Sequence, residues 1–174
     1  GSDRVALYLN YERQEESGVY VDGQTYLPAA WVDANLNERF YWDANEEILV
    51  YALPEEIVKS DETTVDEDGK KILYRDGDAV YLSLALIQKY TDVRLQAYDG
   101  EAQKRVFVEN NWDPVTVADA AWSAKIRLRG GLKSPIVTEI KRGGTVTVLE
   151  QYDNWARVMT PDGHIGYMHK WEMK

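Results

Sequence analysis

KIRLRGGLKSPIVTEIKRGGTVTVLEQYDNWARVMTPDGHIGYMHKWEMK, residues 125–174, decides the fold of the C-terminal part of this chain. Short stretches of alternating apolar and polar residues are separated by turn signals about every eight to twelve positions, the pattern of a small all-β barrel. Ile126 and Leu128 alternate with Arg127 and Arg129. Gly130-Gly131 opens a loop that Lys133-Ser134-Pro135 continues, and Ile136, Val137 and Ile140 are expected to return to the core. Arg142-Gly143-Gly144 turns the chain into the strand Thr145 to Leu149. Trp155 to Val158 forms the next strand, Pro161-Asp162-Gly163 turns, and Ile165 to Met168 runs back. Gly163 and Gly166 stand where a side chain would hinder the backbone.

The same stretch holds both histidines and a cluster of aromatics. His164 and His169 are five apart, an odd spacing that points them to opposite faces of a strand. With no third ligand nearby, two surface imidazoles are expected rather than a metal site. Ser123, Ser134 and Thr160 show no ordered arrangement with them that would make a nucleophile and its base. No catalytic residue, metal or cofactor is expected. Tyr152, Trp155, Tyr167 and Trp171 either fill the core or line a groove, with Trp155 expected to pack one face on the barrel. Arg129, Lys133 and Arg157 add positive charge that would meet an anionic polymer or simply solubilise the surface.

These residues resemble the bacterial SH3-like domain. Its front reads V-R-x-G-P-S-x-x-x-x-V-I-x-x-L-x-x-G-x-x-V-x-V, and Arg129-Gly130, Ser134-Pro135 through Ile140, Gly143 or Gly144, Val146 and Val148 fit it. Its end reads W-x-x-V-x-x-x-D-G-x-x-G-W-V, fitted by Trp155, Val158, Asp162-Gly163, Gly166, Tyr167 and Met168. Tyr167 replaces the usual Trp, and Leu128-Arg129-Gly130-Gly131-Leu132 departs from the common Arg-Ser-Gly-Pro loop, so ligand preference is open. Aromatic-lined grooves in SH3-like barrels hold extended peptides and sugars. The resemblance therefore implies a ligand site at Trp155, Tyr152, Tyr167, Trp171, Arg129 and Arg157, with peptidoglycan or a cell-surface peptide or glycan as partner.

The rest of the chain differs in surface. Residues 1–110 hold 11 Lys and Arg against 23 Asp and Glu, whereas residues 111–174 hold 9 against 7. Such a step argues for two modules, and the acidic one would repel phosphate backbones, so nucleic acid is not an expected partner. There is no cysteine, which excludes disulfides and thiolate chemistry. No run approaches the roughly 18 apolar residues of a membrane helix.

Within the acidic module, GVYVDGQTYLPAAWVDANLNERFYWDANEEILVYA (18–52) reads as a hairpin at Asp22-Gly23, a helix of about three turns from Pro28, and a second hairpin. Trp31, Val32, Asn35 and Leu36 follow at helical spacing, with Asn35 and Asn37 as stops. Phe40-Tyr41-Trp42 and Ile48 to Tyr51 are the strands. LYRDGDAVYLSLALIQKYTDVRLQAYDGEAQKRVFV (73–108) repeats the order, with Asp76-Gly77 for the first turn and Ser83 as N-cap. Strands from Val93 to Tyr98 and at Val106 to Val108 complete the copy, which reads as an internal duplication. The expected fold class is thus an α+β N-terminal module built from two β-hairpin/helix/β-hairpin repeats, followed by an all-β SH3-like small barrel. The expected bounds are 3–110, a joint at 111–123 containing Asp113-Pro114 and a strand at Val115 to Val117, and a barrel at 124–174.

Thr64, Asp66, Asp68 and Gly69 occupy the first, third, fifth and sixth places of a calcium loop, but Arg75 stands twelfth, where a bidentate Glu is required. A solvated turn at Asp68-Gly69 is expected instead.

The pattern V-D-G-x-x-Y-L-P … W-D-x-x-x-x-x-L-V resembles the copper amine oxidase N-terminal-like (stalk) domains of exported Gram-positive proteins. That resemblance implies a spacer or interaction module. Copper itself is not expected, because residues 1–110 contain no histidine.

The combination implies a non-catalytic module of the Gram-positive cell surface. The alternative is the N-terminal accessory region of a secreted cell-wall or spore-associated hydrolase. There a chitinase-like TIM-barrel glycoside hydrolase, or an amidase, would follow Lys174; the D-x-x-D-x-D-x-E signature of the former is absent from these residues. A structural or oligomerising spacer is the third. The opening Gly1-Ser2-Asp3 carries the expectation of an upstream segment, an export signal or membrane anchor.

Overall fold

The computed structural model describes residues 3–36, 40–53, 55–111 and 116–174. The protein is mostly β and divides into two compact units, Gly1–Asn111 and Trp112–Lys174. Among the described residues there are two α-helices, each of seven residues. The joint at Asp113-Pro114, the strand start at Val115 and the helix stop at Asn37 lie outside the described residues.

The first unit contains strands β1 (Asp3–Leu9), β2 (Glu12–Val21), β3 (Gln24–Pro28), β4 (Phe40–Asp43), β5 (Ile48–Ala52), β6 (Ile57–Ser60), β7 (Leu73–Asp76), β8 (Ala79–Ser83), β9 (Arg94–Tyr98) and β10 (Lys104–Glu109). Helix α1 (Ala29–Asn35) follows β3, and α2 (Leu84–Tyr90) follows β8. One sheet has the order β7-β8-β3-β2-β1-β10-β9, and a second has β4-β5-β6. Asp22 (φ +49) and Gly23 (φ +81) both adopt left-handed backbone, as a two-residue hairpin turn matching strand twist demands.

Local chemistry sets the helix ends. Ser83 Oγ accepts the Leu86 N–H at 3.1 Å, capping α2. Asn35 Nδ2 donates to the Trp31 carbonyl at 2.9 Å and closes α1. Helix α1 is two turns rather than the expected three: Pro28 is still held in β3 opposite Tyr81, and the helix ends at Asn35. The core gathers Val5, Leu7, Leu27, Leu82, Val106 and Val108 from the large sheet, Leu49 and Tyr51 from the small one, and Trp31, Val32, Leu86 and Ile87 from the helices.

Hairpins β2/β3 and β7/β8 meet through antiparallel β3 and β8, and a helix follows each. Beyond the helices the two segments part. β4 and β5 join β6 in the small sheet, whereas β10 pairs with β1 in parallel and brings β9 into the large one. The chain before residue 18 supplies β1, which is the hinge of this arrangement and had no place in the two-segment scheme.

Asp68-Gly69 is a turn. Asp66 N–H donates to Lys70 O at 2.8 Å, and the Asp66 carboxylate accepts the Asp68 and Lys70 N–H groups. Arg75, in the twelfth place, pairs with Glu47 at 3.1 Å and lies 5.1 Å over the Trp42 ring.

The second unit has strands β11 (Thr116–Asp119), β12 (Ala124–Arg127), β13 (Ile136–Ile140), β14 (Thr145–Gln151), β15 (Trp155–Met159) and β16 (Ile165–His169), then a 3₁₀ turn, Lys170–Glu172. They form one antiparallel sheet in the order β11-β14-β15-β16-β12-β13 around Ala124, Ile126, Val146, Ala156, Val158 and Met168. Residues 116–119, placed in the joint by sequence, are a strand of this sheet, since β11 pairs with β14 from Thr116–Val148 to Asp119–Thr145. Ile136 and Val137 do not return to the core. They are 47% and 37% exposed, because β13 is the terminal strand and only Ile140 packs inward. Leu128 likewise lies past the end of β12 and is exposed.

Candidate functional site

Strand alternation in the second unit sorts side chains onto two faces. Ala156 and Val158 of β15 and Met168 of β16 face the core, so Trp155, Arg157, Tyr167 and His169 share the opposite face. The register lines up Arg127, Tyr167, Arg157 and Glu150 across β12, β16, β15 and β14. Glu150 reaches that face because the register shifts between Val148 and Glu150, and a bulge there turns the next side chain outward.

Aromatic contacts extend this row. The Tyr152 ring lies 6.2 Å from Tyr167, tilted by 32°. His169 meets the Trp155 ring edge-on at 4.9 Å. Gly130, in the loop after β12, lies against Trp155: a Cβ there would sit 3.2 Å from Trp155 Cγ. That loop is held by buried Ser134, whose Oγ accepts the Arg129 N–H at 2.8 Å. Ser134 O also accepts from Arg127 Nη1 at 2.8 Å, and Leu128 N–H donates to Pro135 O. The loop thereby exposes Leu128 and Leu132, with Ile136 exposed at the strand that follows.

Charge is arranged around one carboxylate. Glu150 faces Arg157 Nη1 at 3.7 Å and accepts the Tyr152 hydroxyl. That hydrogen bond, ahead of any other influence, pushes the Tyr152 phenol up to about 12. Tyr152 therefore remains a neutral donor across any physiological range.

Of the residues expected from sequence, Trp155, Tyr152, Tyr167 and Arg157 come together here. Trp171 stands on the 3₁₀ turn, 72% exposed, its backbone N–H donating to His169 Nδ1 at 3.2 Å. Arg129 is exposed on the loop beside Gly130. Arg127, Glu150 and the exposed leucines were missed by sequence reading. Arg127 had been read only as an outward strand residue, and the bulge that turns Glu150 outward leaves no mark in the pattern.

The histidines are not the surface groups expected. Both are half-buried: His169 packs on Trp155 and caps the 3₁₀ turn, and His164 Nδ1 sits 3.2 Å from Asp162. Thr160, fully buried, gives its hydroxyl to Asp162 rather than to an imidazole, and accepts the His164 N–H at 3.1 Å. This is a turn-locking network, with Gly163 (φ +81) in the left-handed region beyond Pro161. Among the described residues, no group of three or more His, Asp or Glu is placed to hold a metal ion.

The Thr160 hydroxyl, and then His164, hold the Asp162 carboxyl below its usual range. A depressed carboxylate contributes stability above its unfolded pKa and loses it as pH falls through the folded value. Thr160→Val should therefore cost about 1 kcal/mol near neutrality, since the Asp162 side chain is 61% exposed and water screens the interaction, and should raise the Asp162 pKa. In urea titrations, the gap from wild type should narrow in acid. An Asp162 carboxyl resonance unmoved by the substitution would contradict this account.

Residues 122–174 match the family model of the bacterial SH3 domain. Comparison with curated proteins and with solved structures gave no match.

Proposed function

We propose that the protein is a non-catalytic module of the Gram-positive cell surface, whose SH3 domain binds peptidoglycan or a surface peptide through the face carrying Trp155, Tyr167 and Arg157. The single observation behind this is the row Arg127–Tyr167–Arg157–Glu150, flanked by the Tyr152 and Trp155 rings. Aromatic faces suit sugar rings and apolar side chains, while the guanidinium groups suit carboxylates such as a peptide terminus. The bacterial SH3 domain at residues 122–174 is consistent with a cell-wall-binding module.

The first unit would act as a stalk of the copper amine oxidase N-terminal-like kind, derived by duplication. Its support is the hairpin–helix order seen twice around the β3–β8 pairing.

Sedimentation with purified peptidoglycan tests the binding. Wild-type protein is expected in the pellet, and Tyr152→Ala combined with Arg157→Ala should weaken binding by about tenfold or more. Both positions lie outside the core clusters, so the fold should persist by circular dichroism. Wild-type protein that stays in the supernatant would sink the proposal.

A further inference from the structure

β6 is the terminal strand of the small sheet in the first unit, so among the described residues one of its edges has no neighbouring strand in that sheet. Two cavities open beside it. One, of about 570 Å³, has walls of Tyr51, Val58, Ile72, Leu86 and Tyr90. The Tyr51 and Tyr90 rings lie 4.7 Å apart. The other, of about 310 Å³, is bounded by Glu46, Ile48 and Asp61. Lys59, Ser60 and Thr64 belong to both. In the β5–β6 register, Leu49, Tyr51, Val58 and Ser60 share the core face, and Val50 and Lys59 the opposite one, with Ile48. The apolar cavity therefore lies on the core side of the sheet and the acidic one on its outer side, and the two meet at the β6 edge.

We infer that this edge accepts an extended peptide as a fourth strand, one in which apolar residues alternate with lysine or arginine. An added strand sends successive side chains to opposite faces. Alternate residues then enter the tyrosine-walled cavity, and those between them meet Glu46 and Asp61. Charge selects the partner. From Glu55 to Asp68 there are seven carboxylates against Lys59 alone; Glu62 pairs with Arg75 and Glu67 with Lys89, which leaves the balance negative. Ile57 and Val65, beside the edge, are 68% and 51% exposed, leaving apolar surface in water that such a strand would cover. This site shares no residue with the aromatic face of the second unit.

Fluorescence anisotropy with the full chain tests it, using a labelled octapeptide of alternating lysine and valine. Saturable binding with a dissociation constant below about 100 μM is expected. An alternating glutamate–valine octapeptide should bind at least about tenfold more weakly, since like charges oppose it. Ala85→Trp, an exposed position on the apolar cavity's wall, should cost about tenfold by filling it. Glu46→Lys, exposed on the outer cavity, should weaken binding as well and guards against a folding defect in the first variant. Amide exchange at Val58 and Lys59 should slow when the peptide is bound. Absence of binding at about 1 mM peptide, equal binding of the glutamate peptide, or affinity unchanged in both variants would each overturn the inference.

Discussion

Gly166→Val is expected to unfold the second unit's sheet or come close to doing so. β16 runs beside β12, and a Cβ at Gly166 would lie 2.6 Å from Ile126 Cγ2 and 2.7 Å from the Arg127 carbonyl oxygen. The side-chain contact could relax. The backbone one cannot, because Arg127 pairs with Tyr167 in the row of residues that crosses the sheet. Overpacking of this kind costs about 3 kcal/mol or more, and each kcal/mol lowers the melting temperature of a domain this small by roughly 4–8 °C. Gly131→Ala, where nothing lies within 4 Å of the added carbon, is the control and should change stability by no more than about 0.5 kcal/mol. Urea titration followed by circular dichroism and tryptophan fluorescence gives the comparison. A Gly166→Val midpoint equal to that of Gly131→Ala would refute the packing described for β12 and β16.

The second large effect belongs to the first unit. Leu82 in β8 stands directly between Leu27 of β3 and Leu73 of β7, and all three are at most 2% exposed. Leu82→Ala should cost about 2–5 kcal/mol, the lost burial plus the cavity left in a row that strands cannot close by moving. Leu82→Met preserves volume and should cost less than about 1.5 kcal/mol. Similar losses from both substitutions would mean that Leu82 is not packed between its two neighbours as described.

How much of this was legible depends on whether the signal is local. Asp22-Gly23, Asp76-Gly77 and Pro161-Asp162-Gly163 announce their turns because the left-handed backbone is written into the residues themselves. Ser83 announces a helix start for the same reason. The aromatic face was half legible. Alternation placed Trp155 and Tyr167 on strands, but only the register shift at Leu149 puts Glu150 opposite Arg157.

The non-local pairings were out of reach. β1 joins β10 in parallel across about a hundred residues, and no local pattern in Asp3–Leu9 records its partner. The exposure of Ile136 and Val137 was misread for a related reason: apolar alternation is the same on an edge strand as on a central one, and β13 is terminal only in the assembled sheet. Helix α1 was overestimated at its ends: Pro28, read as its first residue, is the last of β3, and the helix stops at Asn35.

The proposed binding face can be tested directly by titrating the ¹⁵N-labelled chain with a soluble muropeptide, a wall disaccharide carrying its peptide stem, and following chemical shifts. The proposal predicts saturable changes centred on the Trp155 indole N–H, Arg157, Tyr167 and the Gly130 amide. Shifts confined to the first unit, or none at millimolar ligand, would contradict the assignment of this aromatic row as the surface that meets the wall.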